Sequence, residues 1–199
     1  TILYTEVDVF DGKINAIYSG YEVELDYDSF STAIQAASAA SINTEHIFPR
    51  SMGAELFPAL SDMHHIIPAL SSVNSARSNF RFAEVADNQT DKWYLGTQQS
   101  NSIPTSNIND WSELDEGTAW EPREIRKGDI ARAVFYFVVI HNDTANAAFF
   151  NQMRDTLLDW HAQDPVDDRE QTRNDRIKAN QGNDNPFIID STLAERLFN

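Results

Sequence analysis

The stretch "INTEHIFPRSMG", residues 42–53, sets a carboxylate, Glu45, beside an imidazole, His46; "SSVNSARSNF", residues 71–80, follows with Asn74 and Arg77. Each of these residue types suits one part of a hydrolysis. A neutral histidine near pH 7 can take a proton from water, which is the role of a general base. A hard cation such as Mg²⁺ needs only a few protein oxygens and keeps several waters, so the Glu45 carboxylate and the Asn74 carbonyl would suffice as direct ligands. Arg77 lies one helical turn after Asn74 on the same face, where a guanidinium could grip a phosphate oxygen. Taken alone the pattern is unspecific, because Glu-His pairs and Asn-bearing helices are common. Adjacent strand residues also point to opposite faces, so Glu45 and His46 reach one centre only if the strand ends or twists there.

The elements that must carry these residues are short. "EHIFP" and "HHIIP" are apolar runs closed by Pro49 and Pro68, which suits extended segments. Ser71 or Ser72 can then cap a short helix bearing Val73, Asn74 and Arg77. The predicted order over 43–80 is therefore extended, loop, extended, helix. His64 and His65 read as structural histidines, since at most one of two neighbours on a strand faces a given site. His141 and His161, near the ends of predicted helices, are accounted for by the helix dipole.

Elsewhere "TILYTEVDVF" predicts an opening strand and "DSFSTAIQAASAA" a helix. Residues 96–118 are polar and turn-rich and predict a long surface excursion. "KGDIARAVFYFVVIHN" predicts a buried helix capped at Asp129. "NAAFFNQMRDTLLDWHAQD" predicts one amphipathic helix with Phe149, Phe150, Met153, Leu157 and Trp160 on a single face. A third helix is expected over 166–178 and a terminal one in "STLAERLF". The pattern predicts an α+β chain with a helical scaffold over 127–199.

With 199 residues, 41% of them hydrophobic, the chain is long enough for one sizeable core, and a single domain over 1–199 is expected. Its longest apolar run, "IARAVFYFVVI", is too short for a bilayer span and contains Arg132, so a soluble protein with no membrane partner is expected. The chain opens on Thr1 without a basic, apolar leader, which is the expectation for an exported protein whose signal has been removed. There is no cysteine, so disulfides, thiolate metal sites and cysteine nucleophiles are excluded. The net charge of -16 ordinarily argues against a polyanionic ligand. Between Asn43 and Phe82, however, Arg50, Arg77 and Arg81 balance Glu45, Glu55 and Asp62, and this segment is the least repulsive to a polyanion.

"NTEHIFPRSM", "SDMHHIIPALSSVNSARSNFRF", "EPREIRKGDIARAVFYF" and "LLDWHAQDPVDDREQTRNDRIKANQGNDNPFI" together resemble the bacterial endonuclease I family of secreted or periplasmic nonspecific nucleases. The resemblance runs from about residue 43 to the C-terminus in the family's order; the first forty or so residues match none of its motifs. It implies an α+β fold in which a ββα-metal (His-Me) finger, residues 43–80, is embedded in a mixed, mainly helical domain. It further implies that His46 activates the attacking water and that Glu45 and Asn74 hold a single Mg²⁺, with Mn²⁺ or Ca²⁺ able to substitute; Asn79 is the alternative to Asn74. Arg77 is the expected catalytic cation on the scissile phosphate, Arg50 its alternative, and Arg50, Asn79 and Arg81 are the expected substrate contacts. The partner is DNA, with RNA as a further substrate, and a monomer is expected. In relatives with a longer loop after the Glu-His motif an arginine from that loop touches the phosphate, and that position has no counterpart in residues 47–61.

Two other readings remain open from sequence. One is a zinc hydrolase built on His46, His64 and His65; the other is an inactive member of the family that binds nucleic acid. Electrostatics generates a separate expectation. Affinity that rests on neutralising phosphates falls with a log–log slope of about -0.9 per phosphate on duplex DNA. A lysine-poor chain at -16 makes few such contacts. Cleavage assayed across an NaCl series should therefore decline shallowly and persist in concentrated salt, whereas collapse between low and moderate salt would contradict this.

Overall fold

The computed structural model describes residues 2–199. Thr1, the first residue of the predicted opening strand, lies outside them. The remainder of that stretch is a 3₁₀ turn, Ile2–Tyr4, leading to a strand of two residues, β1 (Val9–Phe10). In chain order there follow β2 (Lys13–Asn15), β3 (Glu22–Val23), α1 (Ala33–Ala39), β4 (Ile42–His46), β5 (Ile66–Leu70), α2 (Ser71–Arg77), β6 (Arg81–Phe82), β7 (Lys92–Leu95), β8 (Gln98–Ser100), β9 (Ser112–Asp115) and β10 (Ala119–Glu121). The C-terminal part is helical: α3 (Lys127–Ile140), α4 (Ala147–Asn151), α5 (Arg154–Gln163), α6 (Asp168–Gln181), α7 (Pro186–Ile189) and α8 (Leu193–Phe198). Helices take 41% of the chain and strands 17%, mostly in separate stretches, which is an α+β fold. No helix among the described residues is long and apolar enough to cross a membrane.

The chain divides into two compact units, neither continuous in sequence. The first comprises Thr1–Glu45, Ile67–Phe80 and Glu84–Glu124; the second comprises His46–Ile66, Arg81–Ala83 and Ile125–Asn199. The first crossing falls on the peptide bond between Glu45 and His46.

In the first unit β1, β2 and β3 form an antiparallel meander. A second antiparallel sheet sets β10, β9, β7 and β8 side by side in that order. Two strands, β8 and β9, therefore lie within the predicted surface excursion, and Leu114 is buried along it. Trp120 packs edge-on to Tyr18, with ring centroids 5.1 Å apart, and 5.4 Å from the Tyr94 ring. α1 begins where Thr32 accepts the Gln35 N–H, a side-chain cap of the usual kind. β4 and β5 pair, and Ser71 N–H donates to Ser41 O at 2.8 Å as β5 runs directly into α2. The expected serine cap on α2 is absent: Leu70 holds that position with no side-chain bond, because the helix starts on the strand's own backbone direction. Ser78, at φ +53, ends α2 in a conformation that costs a non-glycine residue about 1 kcal/mol or more.

In the second unit α3 is buried along most of its length, as its apolar run predicts. Asp129 is not its cap; it lies inside the first turn and pairs with Arg126 at 2.8 Å. Arg132, fully buried at its centre, forks onto the Glu170 carboxylate of α6 at 2.6–2.9 Å. The single predicted helix over 145–163 is two, α4 and α5, yet Phe149, Phe150, Met153, Leu157 and Trp160 are all buried as their spacing implies. Gly128 approaches α5's end so closely that a Cβ there would stand 2.0 Å from Asp164 O. Asp167 caps α6 by accepting the Glu170 N–H at 2.7 Å.

Candidate functional site

In the first unit Glu45 is the last residue of β4 before the chain leaves the unit, and it is buried, 4% exposed. A carboxylate taken out of water this far requires partners of its own. Arg77, 1% exposed, approaches Oε1 to 3.0 Å, and the Tyr18 hydroxyl donates to the same oxygen at 2.6 Å. Burial pushes the Tyr18 phenol well above its usual range, so it stays a donor to Glu45 at any physiological pH. Tyr18 is held in turn through its backbone, whose carbonyl accepts the Ser112 hydroxyl at 2.7 Å.

Asn74 projects from α2 toward β4. Its Nδ2 donates to Asn43 Oδ1 at 2.8 Å and to Thr44 O at 3.4 Å. With the NH₂ group spent on these acceptors, the amide is oriented and Oδ1 is its acceptor atom. Glu45 and Asn74 thus supply two hard oxygens carried by one strand and one helix of the same unit. That is the donor set a Mg²⁺-like cation takes when waters complete its shell, and the residues fit such an ion.

The burial of Arg77 changes its role. Its guanidinium is committed to Glu45 and to Ser78 O, 3.3 Å from Nη1, a position from which it orients the carboxylate. The expected surface clamp on phosphate is not what this placement supports. Among the other predicted contacts, Asn79 is exposed and Arg81 half-buried on β6.

In the second unit His46 is half-buried, and its Nε2 lies 3.0 Å from Leu60 O. A carbonyl only accepts, so Nε2 carries the proton and Nδ1 is the lone-pair nitrogen of the neutral ring. The His65 ring stands 5.6 Å from it, centroid to centroid, with Nε2 donating to Ala59 O at 2.6 Å. Burial holds His65 far below the usual histidine range, at about 3, so it stays neutral. His64 donates to Asn183 O at 2.9 Å and is likewise lowered by burial. Both are structural, as expected. His141 departs from expectation: at the end of α3 it engages Asp62 Oδ2 at 2.9 Å rather than relying on the helix dipole alone. Burial works to raise Asp62, but bonds from Gln181, the His64 N–H, Tyr136 and His141 outweigh it and hold the carboxyl below its usual value. His161 accepts from Arg132 Nη1 and donates to Ser191 O. A three-histidine centre on His46, His64 and His65 is not assembled; the described residues contain no group of three or more His, Asp or Glu able to hold a metal ion. Arg50, in a 3₁₀ turn just after β4, is the exposed arginine nearest His46 in the chain.

One unit thus carries a buried carboxylate, Glu45, and an oriented amide, Asn74, and the other an imidazole, His46, with Nε2–H on a carbonyl. The chain belongs to the Endonuclease I family, whose model matches residues 2–192. The match includes the first forty residues, in which no family motif was legible, and so takes in Tyr18. The chain is similar to an extracellular ribonuclease of Bacillus subtilis (strain 168), 34% identical over 188 residues, 86% of this chain and 59% of that protein. It is also similar to an extracellular ribonuclease of Bacillus amyloliquefaciens, 33% identical over 81% of this chain and 55% of that protein. A periplasmic deoxyribonuclease of Aeromonas hydrophila is 28% identical over 87% of this chain and 75% of its own length. The chain thus spans a little over half the length of the two ribonucleases.

Sequence reasoning missed Tyr18 and Leu60. Tyr18 lies 27 residues before its partner in a segment without chemical pattern, and Leu60 acts through its carbonyl, which no residue type announces. The Glu45 cluster yields a stability prediction. Arg77→Met should cost about 3–5 kcal/mol, because it leaves a buried carboxylate uncompensated. Tyr18→Phe should cost about 1.5–3 kcal/mol, the range for a bond to a charged group. Urea unfolding of both variants measures this; equal and negligible losses would contradict the arrangement.

Proposed function

We propose that this chain is a nonspecific endonuclease that hydrolyses the phosphodiester bonds of DNA and RNA with one divalent cation and leaves 5′-phosphate ends. The observation that carries the reading is the 3.0 Å bond from His46 Nε2 to Leu60 O. It leaves Nδ1 as the lone-pair nitrogen of the neutral ring, the form in which a histidine takes a proton from water. The Glu45 carboxylate, aimed by Arg77 and Tyr18 through Oε1, and Asn74 Oδ1 would hold the cation, with β4, β5 and α2 serving as the ββα-metal finger. When bound, a cation of this class neutralises charge on the phosphate and on the departing O3′, a contribution of several kcal/mol.

The chain's own residues do the rest. His46 Nδ1 removes a proton from a water that attacks phosphorus in line with O3′. Leu60 O stabilises the imidazolium that forms, since Nε2–H already points at it. Arg50 supplies an exposed guanidinium for a phosphate oxygen, with Arg81 and Asn79 as further backbone contacts. A site that grips one phosphate reads no base edge, so sequence specificity is low, and it needs no 2′-hydroxyl, so RNA and DNA both qualify. The relatives named ribonucleases and deoxyribonucleases support that breadth, and their extracellular or periplasmic names support secretion or periplasmic residence for this chain. We take the chain to act as a monomer.

Plasmid DNA and a transcribed RNA, incubated with Mg²⁺ and the parent protein, should both be cut to 5′-phosphate ends. EDTA should stop the cutting. His46→Ala should lower the rate by roughly 10²–10⁴-fold, the usual contribution of a general base. Undiminished cleavage by the variant would remove His46 from the mechanism.

A further inference from the structure

The segment between Gly53 and Asp62 has two faces of opposite character. Its underside is fixed to imidazoles: Ala59 O takes the His65 Nε2–H at 2.6 Å and Leu60 O takes that of His46 at 3.0 Å. Its own backbone is closed by Leu60 N–H to Leu56 O at 2.9 Å and Ser61 N–H to Pro58 O at 3.1 Å, so the segment is preformed. The outer face carries Leu56 and Phe57, 73% and 76% exposed. They are the two most exposed large apolar side chains among the described residues, ahead of Ile189 at 60%, and they are adjacent. Scattered single apolar residues on a surface need no explanation. A neighbouring pair at the tip of the segment that holds the candidate base is different, because folding gains nothing from it.

Position and charge both point to the same occupant. Phe57 is three residues from Leu60, hence at most about 11 Å away, and Leu60 touches His46. Successive nucleotides of a strand are about 3.4 Å apart along a duplex. A ring at Phe57 is therefore within a few nucleotides' span of a phosphate at His46. The chain at -16 is poor in the cations that normally hold nucleic acid, and Glu55 beside the tip adds a further negative charge. Stacking on an aromatic ring is indifferent to charge and to base identity, and an unpaired base offers a face that a paired one keeps inside its helix.

Resting on the nuclease reading above, we propose that Leu56 and Phe57 form a stacking subsite for an unpaired base flanking the scissile phosphate. Phe57 is the platform and Leu56 the apolar flank. The consequence is a preference for single-stranded nucleic acid over uninterrupted duplex.

The test uses the full chain, Phe57→Ala and Phe57→Trp on a single-stranded oligonucleotide and on the same sequence as duplex. The loss of one stacked base is worth roughly 5- to 150-fold in affinity. Phe57→Ala should raise KM on the single strand by a factor in that range, with kcat and thermal midpoint little changed. Phe57→Trp should restore KM, and its indole emission should be quenched by the oligonucleotide in EDTA, where no turnover occurs. Unchanged KM for Phe57→Ala, or a loss confined to kcat, would overturn the subsite, as would tryptophan emission indifferent to the oligonucleotide. Sedimentation or vesicle binding lost in Phe57→Ala while KM stays constant would overturn it in favour of self-association or a lipid surface. A parent protein that cleaves neither substrate would instead defeat the nuclease reading, which keeps the two failures distinct.

Discussion

The buried pair of Glu45 and Arg77 is the constraint on which the first unit turns. Neither side chain could be left alone where it lies, since an isolated carboxylate or guanidinium out of water costs several kcal/mol. Together, 3.0 Å apart and with Tyr18 donating to the same oxygen, they make a carboxylate held in one place by two partners. The same requirement explains why α2 follows β5 without a loop or a cap. Arg77 has to return over β4, and the helix that delivers it also delivers Asn74, one turn earlier, with its amide tied to Asn43 and Thr44.

The second unit meets a different requirement with similar means. An imidazole acts as a base only in one tautomer and one orientation, and the Leu60 carbonyl sets both for His46. Leu60 is held by a segment whose foot, Asp62, gathers bonds from His64, Tyr136, His141 and Gln181. The Tyr136 hydroxyl also accepts from Asn183, and Asn183 O takes His64. Every one of these groups is buried or partly so, and each satisfies another. Such a network fixes a unique arrangement when complete and is costly when broken. His64, His65 and His141 thus hold this arrangement together, and the proposed mechanism assigns chemistry to His46 alone.

The sequence revealed the helices best, because α3 and α5 bury long runs whose period is unambiguous. It revealed β4, β5 and α2 in the right order, although Pro68, expected to close its extended segment, lies inside β5 and Pro49 comes three residues after β4. It did not reveal β7, β9 and β10, which are three or four residues long and sit among polar turns. It gave Glu45, His46 and Asn74 as candidates but misjudged Arg77. A cation one turn after Asn74 fits a phosphate clamp and an internal partner equally well, and only burial distinguishes them. Tyr18 and the Leu60 carbonyl were out of reach for a common reason: each acts through a contact with a residue far away in sequence, and neither has a local signature.

The central claim is a division of labour between neighbours: Glu45, with Asn74, for the cation and His46 for the water. Calorimetric titration of Mg²⁺ or Mn²⁺ into the parent, Glu45→Gln, Asn74→Ala and His46→Ala proteins separates these roles without relying on turnover. Glu45→Gln and Asn74→Ala should bind the cation much more weakly, while His46→Ala should bind it as the parent does. Cation affinity lost equally in His46→Ala, or retained in Glu45→Gln, would contradict that division of labour.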